Sequence, residues 1–95
     1  MKVVSMVRGT VPAPAVPALI DAYRAATADP PPAIVWTELL TTATGSVAIV
    51  TTWRDREALE EMLASGQEPL ARRLVREAGG EPTVEIFDLS ATASP

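Results

Sequence analysis

The sequence predicts an α+β fold in which two strand–helix–strand units share one four-stranded antiparallel sheet. Three observations support this prediction. Residues 46–53 form a β-rich run without charge, in which Val47 and Ile49 alternate with Ala48 and Val50. Directly after this run, the 3.6-residue apolar period of a helix begins. Clusters of proline and glycine divide the remainder into segments of strand and helix length, and the resulting order of elements is βαββαβ.

The first unit begins with a strand at residues 2–7, followed by a loop at residues 9–13. A helix starts at one of the prolines that follow, because proline is tolerated in a first helical turn, where its missing N–H would be unpaired anyway. The apolar side of this helix consists of four residues: Val16, Leu19, Ile20 and Tyr23. Asp29 and the three prolines behind it cannot continue a helix, so the helix ends before them.

The second and third strands are predicted to form a hairpin. Residues 33–40 are the second strand, and residues 41–45 make a polar turn into the third strand at residues 46–53. Because this connection is short, we expect the two strands to be antiparallel neighbours.

Two helical segments connect the third strand to the last. Asp55 is well placed to cap the first segment by accepting a hydrogen bond from an otherwise unpaired backbone N–H, and this segment runs to about residue 64. A Ser-Gly pair then interrupts the helix. Pro69 opens the second segment, which ends at the glycine pair 79–80.

Residues 83–89 form the fourth strand and complete a ferredoxin-like sandwich. A chain of 95 residues suffices for one domain. We place this domain at residues 1–89 and expect residues 90–95, which are small and polar, to be a flexible C-terminal tail.

Composition excludes several classes of function. The chain contains no histidine and no cysteine, so imidazole and thiolate are absent as metal ligands, nucleophiles and general bases, and we expect no metal site. The net charge of −4 offers no basic surface for nucleic acid. The apolar runs are too short for a membrane span. The first residues do not resemble a secretory signal, so we expect a cytoplasmic protein.

The predicted strands are apolar on both faces, whereas the helical segments can cover only one face of the sheet. In the first strand, Val3 and Val7 lie opposite Val4 and Met6. An antiparallel sheet with one solvated face normally alternates apolar with polar residues. Leaving a few hundred Å² of apolar surface in water forgoes several kcal/mol at ~25 cal/mol per Å². We therefore predict a homodimer in which the uncovered sheet faces pack together.

The run Trp-Arg-Asp-Arg-Glu-Ala-Leu at residues 53–59 places a tryptophan at a strand end, directly before a charged helix start. With the order of elements, this run resembles the dimeric α+β barrel superfamily, in particular its antibiotic-biosynthesis-monooxygenase-like branch, over residues 3–89. The resemblance implies two ferredoxin-like units that close a barrel around a pocket. Some members of this branch oxidise aromatic polyketides without a cofactor, and others degrade haem.

The chemistry of this branch matches the chain only in part. Its haem-degrading members use an Asn, Trp and His set, and this chain contains neither Asn nor His. Its cofactor-free monooxygenases have Asn, Trp, Tyr and Arg around the substrate. The chain offers Trp36 or Trp53, Tyr23, and Arg8 or Arg54 for three of these, and nothing for the asparagine. The resemblance therefore implies cofactor-free chemistry, and we expect no cofactor.

Trp36 and Glu38 form the strongest pocket signature in the sequence. They share a predicted strand face with Ile34 and Leu40, which sets an aromatic wall beside a carboxylate in an apolar stretch. If Glu38 points into the dimer barrel, burial makes it a candidate catalytic proton donor or acceptor. The competing interpretation is a glutamate at the rim that pairs with an arginine such as Arg8.

Three further residues complete the predicted substrate-binding set, each with a competing structural role. Arg8 binds an anionic ligand or lies solvated at a strand end. Tyr23 borders the pocket or belongs to the core with its hydroxyl at the edge. Trp53 stacks on a flat substrate or anchors a helix on the sheet.

Three arginines near the C-terminus, Arg72, Arg73 and Arg76, do not indicate a phosphate site. Glu68 lies four residues before Arg72, and Glu77 is close by. This pattern predicts a solvated helix face with ion pairs.

Two interpretations of function stay open. The first is a cofactor-independent, monooxygenase-like enzyme that acts on an aromatic or polyketide-like small molecule near Trp36 and Glu38. The alternative is a dimer without catalytic activity, which either binds a small apolar ligand or has a structural or interaction role with its barrel filled by its own side chains. Fold alone does not decide between them, because one fold hosts many chemistries.

Overall fold

A computed structural model describes all of residues 1–95 and has the predicted order of elements. The strands form one antiparallel sheet in the order β2-β3-β1-β4, which confirms the ferredoxin-like fold class. None of the helices has the length and apolar character needed to span a membrane. The helices and strands are β1 (Val3–Thr10), α1 (Val16–Ala26), β2 (Ile34–Thr41), β3 (Ser46–Trp53), α2 (Arg56–Ala64), α3 (Leu70–Glu77) and β4 (Thr83–Asp88).

β1 is longer than predicted. Residues 8–10 continue the ladder with residues 46–48 of β3, so the loop predicted from residue 9 is wrong at its start. The backbone pairing with β3 outweighs the low strand preference of Gly9. A Cβ atom at Gly9 would lie 2.7 Å from a methyl carbon of Val75, so the glycine allows α3 to approach the sheet closely.

The helix boundaries follow the prolines and caps that predicted them. A 3₁₀ turn at Ala13–Ala15 leads into α1, and Pro17 lies in the first turn of that helix. In α2, Oδ1 of Asp55 accepts a hydrogen bond from the backbone N–H of Ala58 at 2.8 Å. This hydrogen bond, with a smaller contribution from the Arg54 side chain, lowers the pKa of Asp55 below the usual 3.8.

The core lies between the helices and one face of the sheet. β1 and β3 contribute a buried side chain at alternate positions, as their two-residue period predicts. A small cluster at one end joins Val3, Trp53 and Leu59. The larger cluster combines residues of the central strands, the first loop, α1 and α3: Val7, Val11, Leu19, Val47, Ile49, Leu74 and Val75.

The opposite face of the sheet, called the open face below, has no cover within the chain. It carries Trp36 and Leu40 on β2, which are 63% and 50% exposed, and Phe87 on β4, which is 42% exposed. Val4 and Met6 of β1 lie between them, half-buried. The sheet is thus apolar on both faces, as predicted.

A register irregularity in β2 separates Ile34 from Trp36. Ile34 pairs with Trp53, and Trp36 pairs with Thr52, so two residues of β2 advance against one of β3. Because Trp53 faces the helices and Thr52 faces away, Ile34 packs against the core cluster instead of beside Trp36. The prediction that Ile34 shares the face of Trp36 and Glu38 is wrong for this reason.

Replacing Asp55 by alanine removes the acceptor for the backbone N–H of Ala58. We expect the melting temperature near neutral pH to fall by roughly 4–8 °C, the shift for loss of one helix cap in a domain of this size. Asp55→Asn, which keeps an acceptor oxygen, is the control and should lose less.

The effect of Asp55→Ala also depends on pH. Because the pKa of Asp55 is lower in the folded chain, its carboxylate stabilises the fold fully above the ordinary value of 3.8. This stabilisation is lost as the pH falls through the lowered folded pKa. The melting temperatures of the wild type and Asp55→Ala should therefore converge in strong acid. A difference that stays constant would contradict the role of the charge.

Candidate functional site

A cavity of about 220 Å³ lies between the helices and the sheet face that they cover. All four strands and all three helices contribute to its lining, and 13 of the 20 lining residues are hydrophobic. Apolar walls with few polar groups are typical of small-molecule sites. Since an engineered apolar cavity of ~150 Å³ binds benzene, this cavity has room for a flat molecule of about two rings.

Three hydroxyl side chains form a row across the floor of the cavity. Ser5 of β1 pairs with Thr51 of β3, and Thr51 pairs with Thr37 of β2. Ser5 is 9% exposed and Thr51 is 6% exposed. The other helix-facing positions of β1 and β3 carry mostly valine, isoleucine or tryptophan. Serine is smaller than valine, and threonine is smaller than isoleucine or tryptophan, so the row leaves space above the sheet that those larger side chains would fill.

Both aromatic residues of the cavity form hydrogen bonds with this row. Nε1 of Trp53 donates to Oγ of Ser5 at 2.9 Å. The hydroxyl of Tyr23 donates to Oγ1 of Thr37 at 3.1 Å, and Thr37 shares a further hydrogen bond of 3.3 Å with Thr51. Every buried polar side-chain atom has at least one partner. These bonds orient the indole on β3 and link Tyr23 of α1 to the sheet.

Tyr23 and Arg72 are the ionisable side chains in the cavity lining, which contains no carboxylate, imidazole or thiol. The chain also contains no group of acidic, histidine or cysteine residues arranged to hold a metal ion. The arrangement can bind a flat molecule against apolar walls and hydrogen-bond its polar substituents. Deprotonation of a bound ligand would depend on the acidity of the ligand itself, since the lining contains no carboxylate or imidazole that could act as a base.

The five predicted site residues fall into two groups. Tyr23 and Trp53 line the cavity. Trp36, Glu38 and Arg8 lie on the open face. The sheet separates the two groups, so a single chain does not bring all five together. The pocket predicted near Trp36 and Glu38 stays a prediction, because it depends on a second copy of the chain.

Glu38 does not pair with an arginine on the open face. Its Oε2 lies 3.4 Å from Nε1 of Trp36, which donates to it, while Arg8 donates to Oε1 of Glu85 at 3.2 Å. Arg8 and Glu38 of the same chain do not pair, because β3 lies between β1 and β2, whereas β4 is the direct neighbour of β1. A pair between Glu38 and an arginine of a second copy stays a prediction.

The arginines of α3 form the ion-paired, exposed face that their sequence predicts. Arg73 pairs with Glu77 at 3.3 Å. Glu68 pairs with Arg76 through Nε at 3.1 Å and Nη2 at 3.0 Å, and this bond lowers the pKa of Glu68 and raises that of Arg76. The predicted pairing of Glu68 with Arg72 is wrong, because Glu68 precedes the helix and does not follow helical spacing.

Sequence reasoning missed Ser5, Thr37 and Thr51 as site residues. The available signal was a hydroxyl residue at a helix-facing position of a strand whose neighbours on that face are large and apolar. Only the register between the strands shows that the three hydroxyl residues form one row.

No protein-family model matches the chain, and no curated protein sequence matches it. Solved structures do match. SnoaB, a cofactor-independent oxygenase from Streptomyces nogalater, is 20% identical, with a TM-score of 0.68 over 96% of this chain and 95% of that chain. An antibiotic biosynthesis monooxygenase is 18% identical, with a TM-score of 0.66 over 94% and 99% of the two chains.

A third match is the haem-degrading protein Rv3592 from Mycobacterium tuberculosis. It is 24% identical, with a TM-score of 0.65 over 99% of this chain and 100% of that chain. The three proteins share their fold with this chain, and their names cover both oxygenases and a haem-degrading protein, so the shared fold does not specify an activity. The resemblance to the antibiotic-biosynthesis-monooxygenase-like branch is therefore confirmed at the level of the fold.

Proposed function

We propose that this chain, whose fold is that of the antibiotic-biosynthesis-monooxygenase-like branch, binds a small aromatic molecule in the helix–sheet cavity and oxidises it with O₂ without a cofactor. The observation that carries the proposal is the apolar cavity of about 220 Å³ with a hydroxyl row on its floor. SnoaB, a cofactor-independent oxygenase, has the same fold. An aromatic or polyketide-like substrate suits these walls, because its rings are apolar and its substituents are oxygens.

The proposed reaction needs no added electron donor. When a ring CH₂ becomes a carbonyl, the carbon loses two hydrogens and gains one oxygen atom of O₂. The two hydrogens leave with the second oxygen atom as water. The substrate must first lose a proton to form an electron-rich anion that reacts with O₂, so it must be acidic in its own right. Arg72, an exposed residue that reaches the cavity lining, favours such an anion.

The second candidate function is binding of the same class of molecule without chemistry. The observation that favours it is the lining itself, in which no carboxylate or imidazole is available as a base. Measuring turnover and binding on the same protein separates the two candidates.

The open face supports a further part of the proposal, a homodimer packed sheet to sheet. Trp36, Leu40 and Phe87 expose apolar surface there, and a second copy of the same face is a self-complementary cover. In such a dimer, Trp36 and Glu38 would lie between the two sheets, where the pocket predicted from the sequence would have to form.

Cofactor-free oxidation can be tested with indane-1,3-dione, an acidic two-ring compound with a ring CH₂ between two carbonyl groups. We expect purified protein to accelerate O₂ consumption and to yield indane-1,2,3-trione with no added cofactor. Ala71→Phe places a large ring in the cavity lining and should reduce the enzymatic rate at least about tenfold. Ala64→Phe, at an exposed helix end outside the lining, is the matched control and should keep the rate.

Two results would contradict the oxidation proposal. Binding of indane-1,3-dione with only the background rate of O₂ consumption would leave the binding function and exclude turnover of this probe. Full activity in a folded Ala71→Phe variant would show that the reaction occurs outside the cavity. Circular dichroism of each variant establishes that it is folded.

The dimer can be tested with two matched substitutions. Leu40 on the open face is 50% exposed, and Leu63 on α2 is 49% exposed. Leu40→Glu should weaken dimerisation at least ~100-fold, because it buries an unpaired carboxylate in each half of a symmetric interface. Leu63→Glu should leave the dimer intact. Sedimentation analysis should give twice the monomer mass of 10.0 kDa for wild type. A wild-type monomer at micromolar concentration would refute the dimer.

A further inference from the structure

Two series of side-chain hydrogen bonds end side by side on the cavity floor. In the first series, Trp53 donates to Ser5 at 2.9 Å. In the other, Tyr23 donates to Thr37, which lies 3.3 Å from Thr51. Each of these five side chains carries one hydrogen that it can donate, and the three hydrogen bonds use three of the five hydrogens. Two hydrogens therefore remain without an acceptor in a mostly apolar cavity.

We propose that these two hydrogens belong to Ser5 and Thr51 and that together they bind one acceptor oxygen of the ligand. Ser5 accepts from Trp53, so the hydrogen of its own hydroxyl is free. Because Tyr23 donates to Thr37, the hydrogen of Thr37 is available for Thr51, and the hydrogen of Thr51 becomes the free one. Hydrogen bonds that run in one direction polarise each other and strengthen the last donor.

The strand register brings the two donors together. Ser5 and Thr51 are direct partners in the β1–β3 ladder. Side chains at such positions have Cβ atoms about 4.5–5.5 Å apart, which lets two hydroxyls reach one oxygen between them. Both residues line the cavity.

The chemical class of the ligand follows from this donor pair. A ketone, quinone or phenolate oxygen satisfies both hydroxyls, whereas a hydrocarbon leaves them unpaired in the cavity. Two fixed donors also stabilise negative charge that develops on the oxygen when a substrate ionises. This inference rests on the proposed function and specifies which substituent the cavity recognises and where that substituent lies.

Two bicyclic probes that differ in one carbonyl group, 1-tetralone and tetralin, test the inference. The dissociation constants of both are measured by NMR titration. We expect the ratio of the tetralone constant to the tetralin constant to rise about 5- to 30-fold in Thr51→Val. Valine is close to threonine in shape. In this variant the last hydroxyl donor of the series is Thr37 on β2, which is one strand farther from Ser5 than Thr51 is. Thr51→Ser restores the hydroxyl and should restore the ratio.

Ser5→Ala should raise the same ratio, because it removes the hydroxyl that would donate to the ligand and leaves the indole N–H of Trp53 as the last donor of that series. The control is Thr52→Val. Thr52 is the next residue of β3, its side chain lies on the open face, and it forms no side-chain hydrogen bond. This variant should leave both constants unchanged. Thermal melts identify any variant that fails to fold, and the remaining variants decide the question.

Three outcomes are decisive. A selective loss of tetralone binding in both variants, with rescue by Thr51→Ser, supports the donor pair. Binding of both probes with a ratio unchanged in Thr51→Val and Ser5→Ala overturns the donor pair and leaves the cavity as a binding site. Failure of the wild-type protein to bind either probe overturns the cavity as an aromatic site, and the donor pair with it.

Discussion

Antiparallel pairing of β1 and β3, from Val3 opposite Trp53 to Thr10 opposite Ser46, determines which side chains face the helices and which face away. These are the two central strands of the sheet. The pairing of β2 with β3 and of β4 with β1 therefore determines which side chains of the outer strands face the helices. Because side chains alternate with a period of two, a slip of one residue would move every buried side chain to the other face. The core, the cavity and the open face all depend on this register.

The same register explains why the cavity has a polar floor. Ser5, Thr51 and Thr37 fall at one level of three neighbouring strands, where larger apolar residues would close the core. Burying hydroxyls without partners costs about 1–3 kcal/mol each, and the bonds from Trp53 and Tyr23 offset part of that penalty. A core built for stability alone would fill this space with apolar side chains. The arrangement therefore supports the proposed ligand site on this floor.

The helices and strands were predictable because their signals are local. Asp55 lies where a capping residue is needed, and the prolines mark where helices start and stop, so the element order and the fold class followed from the sequence. Features that depend on pairing between distant segments did not follow. The extension of β1 past Val7 needs its partners on β3, and the displacement of Ile34 from the face of Trp36 needs a β2 irregularity that no single residue signals.

The candidate site divides in the same way. Alternation showed that the sheet has two apolar faces, yet it did not show which face the helices cover. Trp36 and Glu38 predict a pocket because a carboxylate beside a tryptophan is unusual in an apolar strand, and the structure has both residues on the open face. Ser5 and Thr51 are inconspicuous in the sequence, because serine and threonine are common in strands and loops of every kind. Their pairing across β1 and β3 is what distinguishes them.

We place the ligand site in the cavity between the helices and the sheet. A crystal structure with bound 6-bromo-1-tetralone tests this placement directly, because anomalous scattering locates the bromine atom independently of the protein density. We expect a bromine peak inside the cavity, with the ring beside Trp53 and the carbonyl oxygen between Ser5 and Thr51. A peak found only on the open face, beside Trp36 and Glu38, would contradict it and would favour the site suggested by the sequence.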